Sequence, residues 1–113
     1  MANNAERRTY PRVNKRWPVT ILTDNATVQA ETRNITVNGI FIASKELLRL
    51  NETFFLNISP PNRQSIQVTG TVIRSDHLSL DEQNISYGMG ICFVKVSDDD
   101  RHFLEDVIST YPK

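Results

Sequence analysis

Apolar residues recur at every second position through most of this chain and change to helical spacing only once, near the C-terminus. In TVQAETR, Val28, Ala30 and Thr32 face one way and Gln29, Glu31 and Arg33 the other. Ile66, Val68 and Val72 oppose Gln67 and Thr69 in the same manner. Period 2 is the mark of strands with one buried and one wet face. Ile85, Tyr87, Met89, Ile91 and Phe93 share one face of a later strand, with Gly88 and Gly90 opposite, where glycine permits a bulge or sharp coiling. WPVTILT and residues 40–43 and 54–58 read as further short strands. Asp24-Asn25, Pro60-Pro61 and Asn38-Gly39 separate them, the last as a tight hairpin turn or a loop end. Residues 46–51 (ELLRLN) are compatible with a helical turn, and residues 77–84 read as a polar connection. Ser97 and the acids at 98–100 suit a helix start, where free N–H groups and the dipole favour negative charge. Phe103, Leu104, Val107, Ile108 and Tyr111 then form one apolar stripe that Pro112 ends. The class is all-β followed by a single helix. Many short strands with turn signals predict a small antiparallel barrel, with the helix packed on it or across an opening.

At 113 residues the chain is one domain, long enough to bury roughly 65% of its unfolded surface in a single core. No apolar run approaches the ~18 residues of a membrane span, and the N-terminus lacks the apolar stretch of a secretion signal, which predicts a cytoplasmic protein. A single cysteine, Cys92, excludes an internal disulfide and a cysteine-based zinc site. The 13 bases and 13 acids cancel, which argues against general affinity for nucleic-acid polymers or anionic membranes. The balance hides a polarity. Residues 1–16 hold five bases against one acid, net +4, and residues 98–106 hold five acids against one base, net −4. Residues 7–16 are basic and interrupted by Pro11, so they read as an extended arm. The division is an arm over 1–16 and a barrel with its helix over 17–113.

Enzymatic constellations are missing from the sequence. His77 lies in a polar stretch and His102 at the acidic helix start, neither with a metal-ligand partner at strand or helix spacing. No serine sits in a nucleophile elbow. Cys92, between Ile91 and Phe93, reads as a structural thiol. No catalytic residue, metal or cofactor is expected.

Two segments carry recognition chemistry. In Arg7-Arg8-Thr9-Tyr10-Pro11-Arg12, an extended backbone projects Arg8 and Arg12 to the same side. Their planar forks match phosphate oxygens and the Hoogsteen edge of guanine. The plainer reading is a solvated basic tail. In Asn34-Ile35-Thr36-Val37-Asn38-Gly39, Asn34 and Thr36 share one face while Ile35 and Val37 turn to the core. Gly39 permits close approach or positive φ. The plainer reading is an ordinary strand end and turn.

Together these segments resemble the PilZ domain family. Arg8-x-x-x-Arg12 matches its RxxxR motif. Asn34-x-Thr36-x-x-Gly39 matches its second motif, [D/N]-x-[S/T]-x-x-G, with 21 residues between Arg12 and Asn34. The GMGICF strand, the SDDDR turn and the amphipathic helix resemble the family's C-terminal end, so the likeness runs from Glu6 to Thr110.

The resemblance implies a six-stranded antiparallel β-barrel with a C-terminal helix that binds the bacterial second messenger cyclic di-GMP. Arg8 and Arg12 would contact phosphate and guanine, Asn34 and Thr36 would hydrogen-bond a guanine, and Gly39 would let the backbone approach. Arg7 would accompany an intercalated ligand dimer, giving two ligands per chain. Where the family often has Asp and Ser, this chain has Asn34, which keeps an acceptor without the charge, and Thr36, which keeps the hydroxyl. The implied role is a signalling receptor whose arm orders on binding and whose output reaches an unidentified downstream protein. The alternative is a PilZ-fold interaction adaptor that binds no nucleotide, against which retention of both arginines weighs.

Overall fold

The structure, a computed structural model, describes residues 12–78 and 86–110. Six strands appear in it: β1 (Pro18–Leu22), β2 (Thr27–Ile35), β3 (Gly39–Ser44), β4 (Thr53–Ile58), β5 (Ile66–His77) and β6 (Tyr87–Val96). Among the described residues one helix, α1 (Asp98–Thr110), follows them. The strands close into an antiparallel barrel in the order β1-β2-β3-β6-β5-β4, with β4 returning to β1. Closure leaves no unpaired sheet edge.

Alternation places the core as expected. Val19 and Ile21 of β1, Ile40 and Ile42 of β3, Leu56 and Ile58 of β4, and Met89 and Ile91 of β6 are buried. α1 adds Leu104 and Ile108 to the same cluster. The Ser97 hydroxyl accepts the Asp100 N–H at 3.1 Å, capping the helix behind its acidic first turn. Phe103 stacks on the buried Trp17 at 6.0 Å, and the Arg63 guanidinium lies 4.0 Å over the Phe103 ring while pairing with Asp100 at 3.5 Å. These contacts dock the helix. Tyr111 and Pro112 lie outside the described residues, as does Ile85.

Three bulges reset the alternation. The β2–β3 register skips Arg33, so Thr32 and Ile35 are both buried although an odd number of positions separates them. The β5–β6 register skips Ile73 on β5 and Val94 on β6, and both are exposed. The bulges therefore fall on Ile73, across from the Gly90–Ile91 step, and on Val94, and not on Gly88 or Gly90 themselves. An extra residue reverses the facing of everything after it on that strand.

Other local features depart from the sequence reading. Residues 46–51 form no helix: Glu52 N–H donates to the Arg49 carbonyl across a turn, with Asn51 at φ 68°, and only Leu48 is buried. His77 ends β5, tilted against the Tyr87 ring at 5.2 Å, so the connection starts at Leu78. Cys92 is exposed, because Ile91 and Phe93 take the inward phase on either side of it.

The basic arm meets the barrel before Trp17. Val13 and Ile35 exchange both backbone hydrogen bonds at 2.9 Å, and Val13 is buried. The buried Thr32 hydroxyl accepts the Trp17 N–H at 2.8 Å and donates to the Lys15 carbonyl. Attachment to the barrel therefore extends from Trp17 back to Val13.

Candidate functional site

Arg12, Asn34, Thr36 and Gly39 line one open hollow of about 380 Å³ on the outer face of the barrel. Each arrives there by a separate local rule. Val13 points inward to pair with Ile35, so Arg12, one residue earlier, turns outward and is exposed. The Arg33 bulge turns Asn34 outward. Among the described residues no hydrogen bond holds the Asn34 amide. Arg7 and Arg8 lie outside the described residues.

Thr36 organises the loop between β2 and β3. Its hydroxyl accepts the N–H groups of Asn38 and Gly39, each at 3.1 Å, and donates to the Gly39 carbonyl at 3.3 Å. Its own N–H donates to that carbonyl at 2.9 Å. Both lone pairs of the oxygen and its proton are engaged within the loop, so the first role of this hydroxyl is to hold the loop's shape.

Gly39 has a structural reason of its own. Its φ is not positive. A side chain there would collide with the Ile91 carbonyl oxygen of β6. The glycine lets β3 and β6 close together beneath the hollow, and Asn38 seals the loop by accepting the Phe93 N–H at 2.8 Å.

Residues outside the two sequence motifs complete the lining. Asn34 pairs with Phe41, Phe41 with Gly90, and Gly90 with Arg74, so four adjacent strands contribute one transverse row to the outer face. Behind it runs an inner row, Val13–Ile35–Ile40–Ile91–Val72, all buried. The outer row rests on this apolar backing. Arg74 and Asp76 carry the signal that could have revealed it: charges at the positions where the inward phase of Ile66, Val68 and Val72 would continue. A strand cannot bury them unpaired, so its phase must break before Arg74. Cys92 also borders the hollow.

Among the described residues there is no group of three or more His, Cys, Asp or Glu placed to hold a metal ion. No described helix is long and apolar enough to cross a membrane.

A six-stranded closed barrel with one C-terminal helix and a motif-lined outer face defines a class of small β-barrel domains. The PilZ domain family model matches residues 6–109, and the chain belongs to that family. Several solved structures share the fold. The PilZ domain with c-di-GMP of YcgR from Escherichia coli superposes with a TM-score of 0.76 at 16% identity, covering 92% of this chain and 90% of that one. The Bacillus subtilis inhibitor of motility MotI/DgrA gives 0.76 at 19%, covering 90% and 49%. The K. pneumonia MrkH–c-di-GMP complex gives 0.74 at 17%, covering 90% and 51%. This chain spans about half the length of MotI/DgrA and MrkH. No curated protein sequence matches it.

Proposed function

We propose that this PilZ domain is a bacterial, cytoplasmic receptor for cyclic di-GMP, binding it in the outer hollow between the arm and the β2–β3 loop. One observation carries the reading: Arg12 from the arm and Asn34, Thr36 and Gly39 from the second motif, far apart in sequence, line the same hollow. Arg12 offers a fork to phosphate or to a guanine Hoogsteen edge, and Asn34 offers an amide that pairs with a base edge. Arg8 is assigned the same chemistry as Arg12, and Arg7 the stacking of a second, intercalated ligand.

The signal in this reading is ordering of the arm. Five bases in the first sixteen residues repel one another, and two ligand phosphates relieve that repulsion. Because Val13 is already paired with Ile35, the responsive segment ends at Arg12. Fixing about six backbone residues costs on the order of 6–12 kcal/mol, which favours modest over nanomolar affinity. The ordered arm then presents a changed surface to a downstream protein.

Isothermal titration with cyclic di-GMP tests the assignment. Binding at micromolar or lower Kd is expected, with two ligands per chain. A stoichiometry of one removes the intercalated dimer and leaves the receptor. Silence removes the receptor and promotes the adaptor.

A further inference from the structure

Arg74 stands at the opposite end of the outer row from Asn34, three strand spacings away, or about 14 Å. Without the bulge at Ile73 it would continue the inward phase of Val68 and Val72. With the bulge, both Ile73 and Arg74 face out and border the hollow that Arg12 and Asn34 line. The Arg74 guanidinium lies 5.5 Å from the Phe41 ring centre, and Asp76 holds it at 3.6 Å.

Between Phe41 and Arg74 the row has no side chain, because Gly90 occupies that place. The Phe41 ring leans away, over Gly88, where it fills the space a side chain would take. A methyl group at Gly90 would meet only the Arg74 Cβ at 3.5 Å, Ile73 Cγ1 at 3.9 Å and Phe41 Cδ1 at 4.0 Å. The result is a shallow floor with apolar sides, Phe41 and Ile73, and a planar cation at its rim. Ile73 is 60% exposed, an apolar side chain held in solvent beside that floor. Apolar walls with a guanidinium at the edge suit a flat, electron-rich ring.

We propose that Arg74 is a further ligand-binding residue, capping a purine ring of the bound cyclic dinucleotide that lies on the floor made by Gly90, Phe41 and Ile73. The proposal rests on the receptor reading above and extends it from the two sequence motifs to β5 and β6. It divides the work of the hollow: Arg12 and Asn34 hold one end of the ligand, and Arg74 fixes a base at the other.

Titration calorimetry with cyclic di-GMP on wild type, Arg12→Ala, Arg74→Ala, Arg74→Lys, Gly90→Ala and Gly90→Leu tests it, with Arg49→Ala as an exposed cation outside the hollow. Arg74→Ala should weaken binding about tenfold, the order of one charge-assisted contact. Arg74→Lys should recover only part of the loss, because an ammonium keeps the charge without the planar face. Gly90→Leu should abolish binding by filling the floor. Gly90→Ala has room and should weaken binding less, which keeps the test decisive if the leucine variant fails to fold. Arg49→Ala should bind as wild type. Wild-type affinity in Arg74→Ala, beside a loss in Arg12→Ala, overturns the proposal and leaves the receptor reading standing. Full recovery by lysine overturns the capping role, since a point charge would then suffice. A wild type that binds nothing overturns both readings.

Discussion

Val13 and Ile35 exchange two backbone hydrogen bonds at 2.9 Å, and this pair ties the N-terminal arm to the strand that carries the second motif. Ile35 is fully buried between the outward-facing Asn34 and Thr36, and Val13 follows the outward-facing Arg12. The pair sets the position of Arg12 relative to Asn34. A deletion of one residue between Val13 and Trp17 would shift or break that alignment.

Val13→Ala should therefore act on stability and binding together. Removing two buried methyl groups costs about 1–2 kcal/mol. Looser pairing with Ile35 should also weaken cyclic di-GMP binding several-fold. Urea unfolding and titration calorimetry on the same variant check both, and an unchanged Kd beside a lowered midpoint would mean that the arm finds its place without this anchor.

Arg12→Ala should behave differently. Arg12 is exposed and contributes nothing to the core, so the melting temperature should stay at the wild-type value. One lost charge-assisted contact of about 1.5–3 kcal/mol predicts a tenfold to hundredfold weaker Kd. Arg8→Ala should show the same pattern by the same proposed chemistry. Wild-type affinity in either variant contradicts that residue's role.

Thr36→Ala should show mainly in stability. The hydroxyl satisfies the N–H groups of Asn38 and Gly39. Its loss leaves those donors to solvent and loosens the loop, at a cost of about 1 kcal/mol. Binding should fall less than in Arg12→Ala. A thermal melt beside calorimetry separates the two effects, and an unchanged melt with a large affinity loss would make Thr36 a direct ligand contact first.

Cys92 provides an internal reporter. It is the sole cysteine, it is exposed, and it borders the hollow. Saturating cyclic di-GMP should slow its alkylation by iodoacetamide, because a ligand over β3 and β6 restricts access to the thiol. An unchanged rate at saturation would place the ligand elsewhere on the barrel.

Much of this architecture is legible in the residues. Period 2 marks the strands, and Ser97 with its acids marks the helix start, because both depend on neighbours in the chain. What escapes is set by register between distant strands. The outer row needs Asn34 opposite Phe41, Gly90 opposite Phe41 and Arg74 opposite Gly90, and no local pattern specifies those pairings. The bulges leave only an indirect trace: Thr32 and Ile35 both need burial, and Arg74 follows Val72 where another apolar residue would keep the phase. Gly39 shows the same limit. Its motif is visible, but its reason, the Ile91 carbonyl beneath it, belongs to another strand. Val13 is a single apolar residue in a basic segment, and only its pairing with Ile35 reveals it as an anchor.

If cyclic di-GMP joins the arm to the outer hollow, amide hydrogen exchange with and without the ligand will register it residue by residue. The Val13 amide is already bonded to the Ile35 carbonyl, so it should be protected in both states. Residues 6–12 should gain protection on ligand addition, together with the β2–β3 loop at residues 36–38. Equal exchange across residues 6–12 in the two states, under conditions where calorimetry shows saturation, would mean that the ligand does not engage the arm.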